Sequence, residues 1–181
     1  HPIGSVMSSA FPPLKKTEKQ RKSQRPPVVP VMEASQNMVL TPEQAQVFES
    51  IRAHKNFSTH LLFGVTGSGK TEVYLRLLQE TLAAGKRGVV LVPEISLTPQ
   101  LINRFAARFG DQIAVLHSQL TERERTNQWW DIVEGRKSIL IGARSALFCP
   151  MQDLGLIIVD EEHDPSFKQE EKLKYHGRDT T

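Results

Sequence analysis

The stretch HLLFGVTGSGKT constrains this chain more than any other part of it. Residues Gly64, Val65, Thr66, Gly67, Ser68, Gly69, Lys70 and Thr71 satisfy the pattern G-x-x-x-x-G-K-[ST] at each fixed position. The glycines let the backbone curl with its N–H groups pointing inward around a phosphate. Lys70 can reach the β- and γ-phosphates, Thr71 can offer a hydroxyl to Mg2+, and a helix beginning here presents its positive N-terminus. The loop needs a strand before it and a helix after it. HLLFGV reads as that strand, and Tyr74, Leu77, Leu78 and Leu82 share one face of the helix that follows. A Gly/Ser-rich turn would satisfy the pattern without binding anything, but it would not need both flanks.

Beyond this loop, short apolar runs alternate with helical patterns. GVVLVP precedes a helix with Thr98, Leu101, Ile102 and Phe105 at positions i, i+3, i+4 and i+7. QIAVLH leads into the polar segment TERERTNQWWDIVEG, then SILIG, then LGLIIV. Unbroken apolar strands separated by helices predict an α/β fold: a mostly parallel sheet with helices on both faces. In such sheets ligands gather at the carboxyl ends of the strands. The ordered part is expected to begin near LTPEQAQVFESI, where Thr41 can cap a helix, Pro42 suits its first position and Gln44 completes a capping box.

LGLIIV delivers Asp160, Glu161, Glu162 and His163. A hydrophobic strand ending in an acid, downstream of a phosphate loop, supplies the partner that holds Mg2+. Asp160 is expected to bind the metal through its water shell, and Glu161 to take a proton from the attacking water. An exposed acidic loop is the bland alternative, and it suits Glu162 and Asp164 better than the first two acids.

Composition bounds the remaining readings. No apolar run approaches the roughly 18 residues of a membrane-spanning helix, no signal-peptide core opens the chain, and cytoplasmic residence is expected. Cys149 is the single cysteine, which excludes an internal disulfide and a cysteine-built zinc site within these 181 residues. The whole-chain net charge of +3 arises in the N-terminal tail, where Lys15, Lys16, Lys19, Arg21, Lys22 and Arg25 oppose only Glu18 and Glu33, while the residues from Gln36 onward are slightly acidic. Residues 1–38, rich in proline and basic side chains, therefore read as a flexible linker, with a DNA-contacting arm as the alternative. Residues 39–181 read as the folded domain.

Asp-Glu-x-His resembles the DEAH/DExH form of motif II in superfamily 2 helicases. FGVTGSGKTEVYL, LVPEISLTPQ, LHSQLTERER, IGARSALF, LIIVDEEHDPSFKQ and KYHGRD together resemble the PriA-type primosomal helicases of bacterial replication restart, from about Leu40 to Asp179. The resemblance implies a RecA-like ATP-binding lobe of a 3′-to-5′ DNA translocase that helps load the replicative helicase. It implies ATP and Mg2+ as cofactors, and forked or single-stranded DNA as a partner. Primosome proteins, single-strand binding protein and the helicase loader are further partners it implies; a monomer is expected.

Residue by residue, the resemblance makes Gln44 a reader of adenine, with capping as its structural rival. His163 would couple the nucleotide site to DNA and the second lobe. Thr98, Gln100 and Arg104 would face a DNA strand, as would Arg144 and Ser145, with His117 and Ser118 at a similar strand end. Phe167, Tyr175 and His176 would belong to an aromatic-rich loop that stacks on bases; surface aromatics on a mobile loop are the alternative. Ala143 stands where the family usually has threonine and Leu173 where it commonly has tryptophan, so coupling to DNA is expected to be weaker.

Motif III, the second lobe with its arginine finger, the amino-terminal domain that binds DNA 3′ ends and the family's zinc-binding insertion have no counterpart in these residues. HPIGSV resembles the approach to the family's winged-helix region. The 181 residues alone are therefore expected to bind Mg-ATP but to hydrolyse it slowly. A stand-alone ATP-responsive DNA-binding module is one alternative. The lobe of another superfamily 2 translocase, such as a RecG-like enzyme, is another, against which LVPEISLTPQ and KYHGRD argue.

Overall fold

The computed structural model describes residues 39–65, 67–169 and 175–176. The expected linker over 1–38 lies outside them. Among the described residues four α-helices, α1 (Pro42–Arg52), α2 (Lys70–Ala83), α3 (Pro99–Phe109) and α4 (Glu122–Val133), accompany four parallel strands. These are β1 (Arg87–Leu91), β2 (Ile113–Leu116), β3 (Ile139–Gly142) and β4 (Leu154–Val159), in the sheet order β2-β3-β1-β4. A two-residue ladder pairs β5 (Lys168–Gln169) with β6 (Tyr175–His176).

Strand side chains alternate between two cores, as the pleat dictates. Val90, Val92, Ile113, Ile139, Ile141 and Ile158 face α2 and α3, whose Leu75, Leu78, Phe105 and Phe109 fill that side. Val89, Leu91, Ala114, Leu116 and Leu140 face Trp129 and Ile132 of α4. Helices thus cover both faces, as the apolar strands required. Cys149 lies in the second core, where burial pushes its thiol up to about 12. Among the described residues no helix is long and apolar enough to cross a membrane.

The helix starts follow local chemistry. At α1, Thr41 and Gln44 form the expected reciprocal capping box after Pro42. Thr98 caps α3 through a bond from the Leu101 N–H. The polar segment after β2 is the helix α4, with a second capping box between Thr121 and Glu124. That Thr-x-x-Glu signal stands in the sequence, and it was enough to place a helix where the segment read only as polar.

One expected element is absent. HLLFGV belongs to no sheet among the described residues. Its side chains alternate as a strand's would: Leu61, Phe63 and Val65 are 79%, 92% and 74% exposed, while Leu62 packs against the first core. A strand needs a neighbour's ladder as well as an apolar pattern. Among the described residues none forms a ladder with this segment, and the sheet ends at β4.

Close packing at the end of β3 makes one position intolerant. A Cβ on Gly142 would lie 2.5 Å from Ala146 Cβ and 2.8 Å from the Leu116 carbonyl oxygen, and a backbone oxygen cannot swing aside. Gly142→Ala is expected to destabilise the domain by about 1–3 kcal/mol, read as a lower urea midpoint at an unchanged slope.

Candidate nucleotide-binding site

The parallel register carries the ends of the strands to one side of the sheet. Leu91 pairs with Val159, and the Asp160 N–H donates to the Leu91 carbonyl at 2.9 Å. The turn Asp160–Asp164 therefore begins beside the segment that follows β1. Glu161 takes a left-handed backbone, φ 49°, an uncommon conformation for a residue with a Cβ. The turn closes through a bond from the Asp164 N–H to the Glu161 carbonyl.

The phosphate loop meets this turn through α2. Gly67 and Gly69 both have φ 82°, the left-handed region glycine enters without steric cost. A Cβ on Gly69 would fall 2.3 Å from Gln44 Nε2, so glycine also admits the α1 side chain. Gln44 Nε2 donates to the Ser68 carbonyl at 3.1 Å while its Oε1 completes the helix cap. The structural role of Gln44 is thus to tie α1 to the loop. Lys70 opens α2, and its ammonium donates to the carbonyls of Gly64 and Val65 across the loop. Thr71 follows on the first helical turn. Thr66 lies outside the described residues.

Tyr74 joins the two halves. Its hydroxyl donates to Asp160 Oδ1 at 3.0 Å, and the Glu161 N–H donates to the same oxygen at 3.1 Å. Burial and the Asp160 carboxylate raise the phenol well above its usual range. The sequence placed Tyr74 on the buried face of α2; its spacing of three residues from Thr71 was the available signal for a polar role.

The donor set suits Mg2+. Thr71 and Asp160 offer oxygen, and a small hard cation keeps several waters and takes one or two carboxylates plus substrate phosphates. Among the described residues no cluster of three or more His, Cys, Asp or Glu could hold a metal by itself. A hydroxyl, one carboxylate and a phosphate cradle therefore define the kind of metal that fits.

The expected DNA-facing residues divide into groups. Thr98, Gln100 and Arg104 are exposed and line, with Ile95, Ser96, Leu101 and Asp160, an open cavity of about 410 Å³. Thr98 also serves as the α3 cap. Ser145 is exposed on the 3-10 turn Arg144–Phe148, and Ala143, at its start, is buried. Arg144 donates to the carbonyls of Ser166, at 3.0 Å, and Lys168. It braces the segment after the acidic turn. His163 is exposed on the turn, next to Asp164.

Phe167 requires a correction. It is 0% exposed and packs in the second core, so a ring expected to stack on bases is a structural anchor for its loop. Tyr175 and His176 are described through their backbone ladder alone. The stacking expected of their side chains, and the effect expected of Leu173, lie outside the described residues.

Two links were not visible in the sequence. Ser96 Oγ donates to Glu161 Oε2 at 3.5 Å, and Glu94 accepts from the Ser118 N–H at 2.8 Å. The hydrogen bond from Ser118 is the largest influence holding Glu94 below the usual glutamate range, with His117 and Arg144 adding to it.

A four-stranded parallel sheet, a phosphate loop opening α2 and an acidic turn tied to that helix define a RecA-like P-loop NTPase lobe. The chain belongs to the DEAD/DEAH box helicase family, which matches residues 41–180. It is 52% identical over 143 residues to the replication restart protein PriA of Bacillus subtilis, covering 77% of this chain and 18% of that protein. Against the PriA of Chlamydia pneumoniae it is 54% identical over 145 residues, covering 77% and 19%. The PriA of Synechocystis matches 97% of this chain at 46% identity, over 21% of its own length. The chain thus spans about a fifth of the relatives it matches.

The Arg144 brace is open to test. Arg144→Ala is expected to speed amide hydrogen exchange at residues 166–168 about tenfold or more, since bonds to a charged donor contribute about 1.5–3 kcal/mol. Exchange in α2 should be unchanged.

Proposed function

We propose that this chain is the ATP-binding lobe of a 3′-to-5′ DNA helicase that acts in the cytoplasm at stalled replication forks and in primosome assembly. The observation that carries this reading is the bond from Tyr74 to Asp160, which ties the helix that begins with Lys70 and Thr71 to the acidic turn, in a chain about half identical to replication restart proteins. ATP is the substrate. DNA, primosome proteins, single-strand binding protein and the helicase loader are the partners proposed for the whole protein.

Lys70 pairs with the β- and γ-phosphates, and the loop amides between Gly64 and Thr71 surround them. Thr71 and Asp160 hold Mg2+, which when bound neutralises phosphate charge. Glu161 orients the attacking water and accepts its proton. Gln44, already joined to the Ser68 carbonyl, stands where the loop meets α1 and contacts the adenine. Thr98, Gln100, Arg104 and Ser145 form the DNA-facing set, and His163 faces the second lobe. The bond from Ser96 to Glu161 links that set to the water-activating carboxylate.

An arginine finger contributes about 10³–10⁵ in rate in P-loop enzymes, and in this family it comes from the second lobe. The purified 181 residues should accordingly bind Mg-ATP and turn it over very slowly, with or without single-stranded DNA. Lys70→Ala should lose nucleotide binding, whereas Glu161→Gln should keep binding and lose the residual turnover. Robust DNA-stimulated hydrolysis by these residues, or equal binding by parent and Lys70→Ala, would overturn the reading.

A further inference from the structure

We propose that Tyr74 is a positioning residue for the metal-holding carboxylate Asp160, setting its orientation from the same helix that carries Lys70 and Thr71. The inference rests on the nucleotide-site reading above and adds to it a group that no motif designates.

Residues three and four apart share a helix face. Tyr74 lies four residues after Lys70 and three after Thr71, so the phosphate-pairing ammonium, the metal-facing hydroxyl and the phenol share one stripe of α2. The ring is 8% exposed and packs with Val90, Val92 and Ile158 of the sheet. From there its hydroxyl reaches a carboxylate 86 positions away in the sequence, at 3.0 Å. A leucine or phenylalanine would fill the same core space, so packing alone does not call for the oxygen.

Asp160 Oδ1 accepts two bonds, from the Tyr74 hydroxyl and from the Glu161 N–H, which together set the plane of the carboxylate. Its other oxygen, Oδ2, is left for a metal-bound water. Groups that hydrogen-bond metal-holding side chains orient them and tune the metal's affinity. A phenol carries its proton at neutral pH, so the Tyr74 hydroxyl serves as a standing donor to Asp160. Because one helix holds all three groups, a shift of α2 moves the phosphate grip and the carboxylate's orientation together.

Fluorescent mant-ATP binding to the purified chain, first in EDTA and then across a MgCl2 titration, separates this role from packing. Tyr74→Phe should bind mant-ATP in EDTA within about twofold of the parent and need roughly tenfold more Mg2+ for half-saturation. In an Asp160→Ala background the same substitution should change nothing. An unchanged Mg2+ half-saturation in Tyr74→Phe, an equal loss of binding in EDTA, or the same shift without Asp160 would overturn the inference. A measurement on the parent does not depend on how the variant folds. The chain has two tyrosines, and with 13Cζ-labelled tyrosine the Tyr74 signal should shift when Mg2+ is added to the mant-ATP complex; no shift overturns the inference. Failure of the parent to bind mant-ATP would remove the nucleotide site and this inference with it. A parent that binds beside a Tyr74→Phe that matches it would remove this inference alone.

Discussion

The parallel pairing of β1 with β4 is the constraint on which the site depends. It sets Leu91 beside Val159 and brings the Asp160 N–H onto the Leu91 carbonyl. A slip of β4 by one residue would turn Ile158 toward the wrong core and reverse every side chain of that strand. Two filled cores therefore hold the register, and the register holds the acidic turn. Parallel strands all point one way, so the segments after β1, β2, β3 and β4 emerge together. That single consequence of strand direction assembles Glu94, Ser96, Ser118, Arg144 and Asp160 from distant parts of the chain.

Polar links then join what the sheet has assembled. Glu72 on α2 accepts two bonds from the Arg108 guanidinium on α3, at 3.0 and 3.2 Å, with both side chains largely buried. An ion pair in such a place contributes less net stability than its Coulomb energy suggests, but losing Glu72 strands the Arg108 charge. It holds the helix of the phosphate loop against the helix that Thr98 caps. The 3-10 turn Glu94–Ser96 adds a second tie, with one end on Ser118 and the other on Glu161. The nucleotide side and the proposed DNA side of this lobe consequently share parts, and a displacement of either has a route to the other.

How much of this was legible depended on how local the determining physics is. The phosphate loop, the Thr41 capping box and the four strands of the sheet rest on short-range chemistry, and each was readable from adjacent residues. HLLFGV has the apolar content and the alternation of a strand, but pairing belongs to the neighbour, which no local pattern supplies. Phe167 illustrates the opposite limit: an aromatic in a polar loop reads as exposed, and only the fold shows Arg144 drawing its segment down over the second core. The Thr121–Glu124 box was readable and decides that α4 is a helix. Tyr74 was half legible, since periodicity placed its ring in the core and said nothing of its oxygen.

These limits change how the phosphate loop itself is held. A loop between a paired strand and a helix would be fixed from both sides. Here the described segment before it makes no ladder, so the sheet does not position Gly64 directly. The loop is held by Gln44 of α1 at the Ser68 carbonyl and by α2, of which Lys70 and Thr71 are the first turn. Helix α2 is in turn seated by Leu75 and Leu78 in the first core, by Glu72 on Arg108 and by Tyr74 on Asp160. Of these, the Tyr74 bond is the one that reaches Asp160 itself. The spacing between Lys70 and Asp160 therefore rests on the β1–β4 register, on the first core that seats α2 against β4, and on one phenol.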